Sequence, residues 1–133
     1  MFSLTVCDHI MIAHSFRGAE FGPAQKLHGA TFVVEAEFRA PKLDRAQLLV
    51  DIGLAKTALR HVLDTLDYSN LDDNPLFKGI NTTTEQMAFH IHSLIAAACR
   101  DGRLGEGGRA VTSLKILLRE SPNAWAAYEE AVA

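Results

Sequence analysis

His28 stands in Leu27-His28-Gly29-Ala30, where a metal-binding strand would carry a second histidine two residues later. Side chains along a strand alternate between faces, so a His-x-His pair turns both imidazoles toward one ion. Ala30 puts a methyl group in the second place, which removes a donor and leaves the strand intact. Two other polar residues belong with His28. His14 and Glu120 each close an apolar alternating segment, and all three are predicted on the apolar side of their strands, at a strand end. A single histidine in such a place is ordinarily a half-buried side chain with a hydrogen-bond partner. A carboxylate is costlier to bury without one, so the rim that collects Glu120 is a candidate pocket.

The elements that must position these residues follow from periodicity. From Phe2 to His14 the even positions are apolar apart from Asp8 and the terminal His14, which predicts a first strand. A second strand is predicted over Leu27–Phe38, antiparallel to the first. Ile52, Ala55, Leu59, Val62, Leu63 and Leu66 have the spacing of an amphipathic helix over 52–66. Met87, Ile91, Leu94, Ile95 and Ala98 predict a second helix over 83–99, and Thr82-Thr83-Thr84-Glu85 has capping-box spacing at its start. Val111–Glu120 alternates again as a third strand. Pro122 interrupts the pattern, and Asn123–Val132 reads as a last strand or a short helix. This order predicts an α+β unit with helices on one face of an antiparallel sheet. A sheet this small has open edges, which favours a closed symmetric oligomer.

A chain of 133 residues, 48% hydrophobic and 22% charged, is the size of a single domain with one core, and no linker divides residues 1–133. A net charge of -3 leaves no basic stripe for a phosphate backbone, so nucleic acid is excluded as a partner. Cys7 and Cys99 have neither disulfide-framework nor zinc-knuckle spacing and are expected to be buried, reduced thiols. No basic patch leads into an apolar signal core, and no apolar run approaches the ~20 residues of a membrane span, so a cytoplasmic location without membrane contact is expected.

An ordered series of short motifs resembles the 6-pyruvoyl-tetrahydropterin and 6-carboxy-tetrahydropterin synthases. Met11-Ile12-Ala13-His14 is similar to that family's first-strand segment ending in Ala-His, and Leu27-His28-Gly29 to its Leu-His-Gly-His. Val50-Asp51 resembles the Asp-Phe that opens its first helix. Leu66-Asp67 through Leu71-Asp72 follows its Leu-Asp-His-x-x-Leu, Thr83-Thr84-Glu85 its Thr-x-Glu helix start, and Arg119-Glu120 its Glu-Thr or Glu-Ser pair. The resemblance covers nearly the whole chain. It implies a T-fold subunit, with a four-stranded antiparallel sheet and two helices on one face. Such subunits form trimers that close a twelve-stranded barrel, and two trimers pair into a hexamer.

In that family three histidines hold a catalytic zinc, while a cysteine, an aspartate and a histidine move protons. Carried across by motif, the zinc ligands fall on His14, His28 and Ala30, the cysteine on Ala24, and the proton-transfer histidine on Tyr68. Asp67 is the retained member of that set, and Asp67 and Tyr68 are the implied catalytic positions. A phenol with an ordinary pKa of ~10 is a weak base at neutral pH, so Tyr68 suits an acid or a hydrogen-bond donor better. Asp8 lies about 20 Å from His14 along the strand. His9 has the wrong parity, and His90 and His92 point to different helix faces. No zinc is therefore expected unless a third ligand is supplied from elsewhere. The binding positions are intact by contrast: Glu120 matches the carboxylate that accepts two N–H bonds from a pterin, with Thr83 and Thr84 beside it, although helix capping explains the threonines equally well. The implied function is binding of a pterin or related heterocycle without the zinc-dependent reaction. The alternative is an active lyase on 7,8-dihydroneopterin triphosphate with a non-standard zinc site.

Overall fold

In the computed structural model, which describes residues 1–132, strand β1 (Phe2–His14) pairs antiparallel with β2 (His28–Ala40) along their whole lengths. β4 (Ser113–Ser121) pairs with the other edge of β2, and β5 (Ala124–Ala131) with β4, both antiparallel. A two-residue β3 (Ser69–Asn70) adds to β1 in parallel, so the order is β3-β1-β2-β4-β5. The sheet thus has five strands where four were expected, because the chain leaving the first helix runs briefly beside Ile12 and Ala13. The ambiguous C-terminal segment is a strand. Beside β4 its alternating residues pair their backbone groups in an antiparallel ladder.

Helix α1 (Ile52–Asp64) and helix α2 (Thr84–Arg100) cover one face of the sheet, α1 against β1 and α2 against β4 and β5. Asp51 caps α1 by accepting the Leu54 N–H at 2.9 Å. Ile10, Phe32, Phe38, Leu114, Ile116 and Leu118 from the sheet meet Leu59, Leu63, Met87, Ile91 and Ile95 from the helices in one core. Each fully buried large side chain is worth roughly 1.5–3 kcal/mol of transfer free energy, enough to fix which face of each strand turns inward. The opposite face of the sheet carries the other parity and is open, and neither α1 nor α2 is long and apolar enough to cross a membrane.

The cysteines divide. Cys7, expected inside, is exposed, because its odd position places it on the open face. Cys99 is buried in the core, and desolvation pushes its thiol up to about 11. At pH 8 only about one such thiol in a thousand is ionised, and the thiolate is the reacting form. Alkylation of the folded protein at pH 8 is therefore expected to leave Cys99 unmodified by peptide mass spectrometry, with full reaction in guanidinium. Native-state labelling as fast as in denaturant would contradict this packing.

Candidate functional site

The register of β1 and β2 makes His14 and His28 direct cross-strand partners, the last residue of one strand facing the first of the next. Their rings meet edge-on, with centroids 4.6 Å apart. Lys26 accepts a hydrogen bond from His28 Nδ1 through its carbonyl at 2.8 Å, so in the neutral ring Nε2 is the nitrogen with the lone pair. His14 is 2% exposed; its Nδ1 meets Thr82 Oγ1 at 3.0 Å, and its Nε2 is buried with no partner. Burial first, and then the neighbouring His28, lower the His14 pKa, so the ring is neutral at pH 7 even though the Thr82 bond and the charges of Asp72 and Glu120 pull the other way. A buried polar nitrogen left unsatisfied costs roughly 1–3 kcal/mol, so this atom is one that a ligand would stabilise by bonding.

Glu120 owes its place to a local irregularity. β4 and β5 pair as Arg119 with Trp125 and then Ser121 with Ala124, a register shift that leaves Glu120 as the extra residue. A bulge of this kind bends the strand and re-aims a side chain. Here it presents an exposed carboxylate whose Oε2 accepts a hydrogen bond from Thr84 Oγ1 at 3.4 Å. The capping box is one residue out from the predicted one: Thr83, not Thr82, is the cap and accepts the Gln86 N–H at 3.2 Å. That shift frees Thr82 for His14. The strap from Asn81 to Thr84 is thus tied to the site repeatedly, with Asn81 accepting the Arg17 N–H, Thr82 on His14 and Thr84 on Glu120.

The metal expectation can be tested on this donor set. The orphaned His14 Nε2 is what one metal ligand would offer, and His28 Nε2 is a second. Ala30 shares their face, half-buried against the core, and contributes no donor. Among the described residues no three His, Cys, Asp or Glu side chains converge as a metal site. Catalytic zinc takes three protein ligands and an open position, so the residues of one chain do not fit it.

Asp67 and Tyr68 are not brought to the histidines. Asp67 accepts the Met11 N–H on Oδ1 and Arg60 Nη2 on Oδ2, each at 2.8 Å. Arg60 also holds Asp64 and Asp8, so Asp67 ties α1 to the edge of β1. Met11 lies three residues before His14, about 10 Å along an extended strand. Tyr68 follows at φ 56°, 82% exposed, its N–H donating to the Met11 carbonyl at 2.7 Å. Within one chain these residues secure a strand edge.

Sequence reasoning missed Thr82, Phe16, Phe21 and Asp72. Phe16 packs on His14 with ring centroids 4.6 Å apart and on His28 at 5.7 Å, and Phe21 packs on Phe16 at 4.8 Å. Asp72 accepts two bonds from Ser15, one of them from its hydroxyl at 2.6 Å. Beyond Thr82 a polar cleft of about 320 Å³ opens between Ser15, Arg17, Asp72, Lys78 and Asn81. The one available signal was the adjacency of Ser15 and Phe16 to His14; long-range pairing to residues 72 and 82 has no periodic trace.

Two helices on one face of a small, largely antiparallel sheet, with polar side chains gathered where β1 and β2 meet, define an α+β protein of the T-fold type. The family model described as 6-pyruvoyl tetrahydropterin synthase matches residues 3–131, and the chain belongs to that family. The solved 6-pyruvoyl tetrahydropterin synthase of Caenorhabditis elegans is similar in fold, with a TM-score of 0.79 at 22% identity over 97% of this chain and 95% of that one. The Plasmodium vivax synthase gives a TM-score of 0.79 at 17% identity, covering 98% of each chain. The Plasmodium falciparum synthase gives 0.70 at 16% identity, over 97% of this chain and 98% of that one. No curated protein matches the sequence.

Proposed function

We propose that this member of the family binds a pterin, or a related bicyclic heterocycle, at the Glu120 rim and does not run the zinc-dependent synthase reaction. The observation that carries the reading is the joint state of the two halves of the site. Glu120 is raised on a bulge beside Thr84, free to accept a planar pair of N–H donors, while the donor set next to it stops at two imidazoles. Thr83 is assigned to capping and Thr84 to the ligand contact. In this reading the chains join through the open edges of β1 and β5 into barrel-shaped trimers paired as a cytoplasmic hexamer, with the ligand between subunits. Both edges support it, since β3 covers only Ile12 and Ala13, and β5 pairs on one side alone.

The unpartnered His14 Nε2 favours a second reading, in which another subunit supplies a third donor. The protein would then be a lyase on 7,8-dihydroneopterin triphosphate, with Asp67 and Tyr68 moving protons. Metal analysis after exhaustive dialysis, paired with neopterin titration, separates the two. Neopterin binding with far less than one zinc per chain is expected. Stoichiometric zinc would transfer the assignment to the lyase, and absence of neopterin binding would remove the first reading.

A further inference from the structure

Arg60 makes contacts that neither the ligand rim nor the core requires. Its guanidinium meets Asp8 at 3.2 Å, Asp64 at 2.8 Å and Asp67 at 2.8 Å, and its Nη1 also donates to the His9 carbonyl at 3.2 Å. A side chain from α1 is thus bonded to a backbone group on the outer edge of β1, one that an adjacent strand would otherwise take. The same edge is occupied further along. Met11 gives its N–H to Asp67 Oδ1 and accepts the Tyr68 N–H on its carbonyl, and Ala13 pairs with Asn70 of β3. Backbone groups of successive strand residues point to alternate edges, so the outward ones on β1 are the odd residues. His9, Met11 and Ala13 are taken; among the described residues nothing takes the edge groups of Ser3, Thr5 and Cys7, all three exposed.

β5 offers a matching edge. Just past it the Val132 N–H donates to the Thr112 carbonyl at 3.1 Å, which turns the even residues toward β4 and leaves Trp125, Ala127, Glu129 and Ala131 facing outward. β1, β2, β4 and β5 alternate in direction, and copies related by rotation about a barrel axis keep that direction, so β5 of one copy meets β1 of the next antiparallel. Register is the open question at such a joint. A slip of one residue turns core-side residues outward and is excluded by burial, whereas a slip of two leaves every side chain on its own face. A barrel closes only with a fixed stagger between its strands. Something other than the apolar pattern has to stop the two-residue slip.

We propose that Arg60 is that stop: by holding the His9 carbonyl it ends the joint between copies at Cys7 and so sets the register in which a second copy of this chain docks. The inference rests on the barrel-shaped assembly proposed above and adds to it the residue that fixes the joint. A carbonyl that already accepts from a charged donor is a poor acceptor for an incoming strand's N–H. The clasp is also acidic, with three carboxylates around one guanidinium, so a β5 sliding toward it would carry Glu129 and Glu130 into like charge.

Native mass spectrometry of the 133-residue chain reads its stoichiometry directly. The parent is expected to give one oligomer mass. Arg60→Ala is expected to lose that single mass and give several, because a slipped joint no longer closes with the same number of copies. Asp64→Ala removes the most exposed of the three ion pairs, leaves the His9 bond in place, and is expected to keep the parent mass. Adding His9→Pro to Arg60→Ala is expected to restore it, since a proline on a strand edge has no N–H to offer a neighbour there. A residue that only supported the fold would not be replaced by a proline on another element. Circular dichroism melts identify any variant that fails to fold, and Arg60→Lys then takes the place of Arg60→Ala, since a single ammonium lacks the fork that reaches these partners together. A folded Arg60 variant with the parent mass, or a mixture that His9→Pro leaves unchanged, overturns the proposal and leaves the assembly reading intact. A monomeric parent removes the assembly reading first, and the stop with it.

Discussion

Glu120→Ala is expected to abolish neopterin binding, lowering affinity by at least about a hundredfold, with little change in thermal stability. Two hydrogen bonds from a ligand to an ionised carboxylate are each among the stronger ones available to a protein, and alanine removes both. The small effect on the fold follows from exposure. Glu120 sits at the bulge, outside the core, and among the described residues its side chain is held by the long bond from Thr84. Calorimetric titration of parent and mutant with neopterin, alongside their melting curves, makes the comparison. Equal affinity in the two proteins would remove Glu120 as the anchor, and with it the basis for reading this rim as a pterin site.

The second large effect is a gain. Ala24→Cys together with Ala30→His is expected to raise zinc retained after dialysis from near zero to about one ion per chain. A histidine at position 30 would project from the same face of β2 as His28, next to the unpartnered Nε2 of His14, which completes the three protein donors that a catalytic zinc takes. Residue 24 lies on the loop closed by the Phe16–Ala24 bond, so a thiol there stands over the same end of the strands. Zinc that binds the folded state alone also stabilises it, by about 2.7 kcal/mol at a free concentration 100 times its Kd. A zinc-dependent rise in melting temperature is thus a second measurement. A double mutant that holds no more zinc than its parent would mean that Leu27–Ala30 does not correspond to the family's metal strand.

These expectations draw on different layers of information. The alternation in Phe2–His14 and 28–38 and the spacing of Leu59, Val62, Leu63, Ile91 and Ile95 were enough for the strands, the helices and the inward face. Each is a local repeat driven by apolar burial, and the observed β1, α1 and α2 agree with them to within two residues at either end. That His14 and His28 face each other was not legible in this way: residues 15–27 separate the two strands, and the strand register makes the pair. That residue 30 is an alanine, where the resemblance to the family leads one to expect a histidine, is read from the chain alone.

Tertiary structure decided what those residues face. No periodicity announces that Thr82 lies under His14, that Asp67 is taken up by Arg60 and the Met11 N–H, or that Phe16 leans on both imidazoles, since each contact joins segments by packing rather than by pattern. The bulge that makes Glu120 the extra residue between Arg119 and Ser121 is a register event between two strands, invisible in either strand alone. Sequence settles which chemistry is present because composition and alternation are properties of the chain. Direction, partner and vacancy belong to the folded sheet, because they depend on which backbone groups are left to pair once the core has closed.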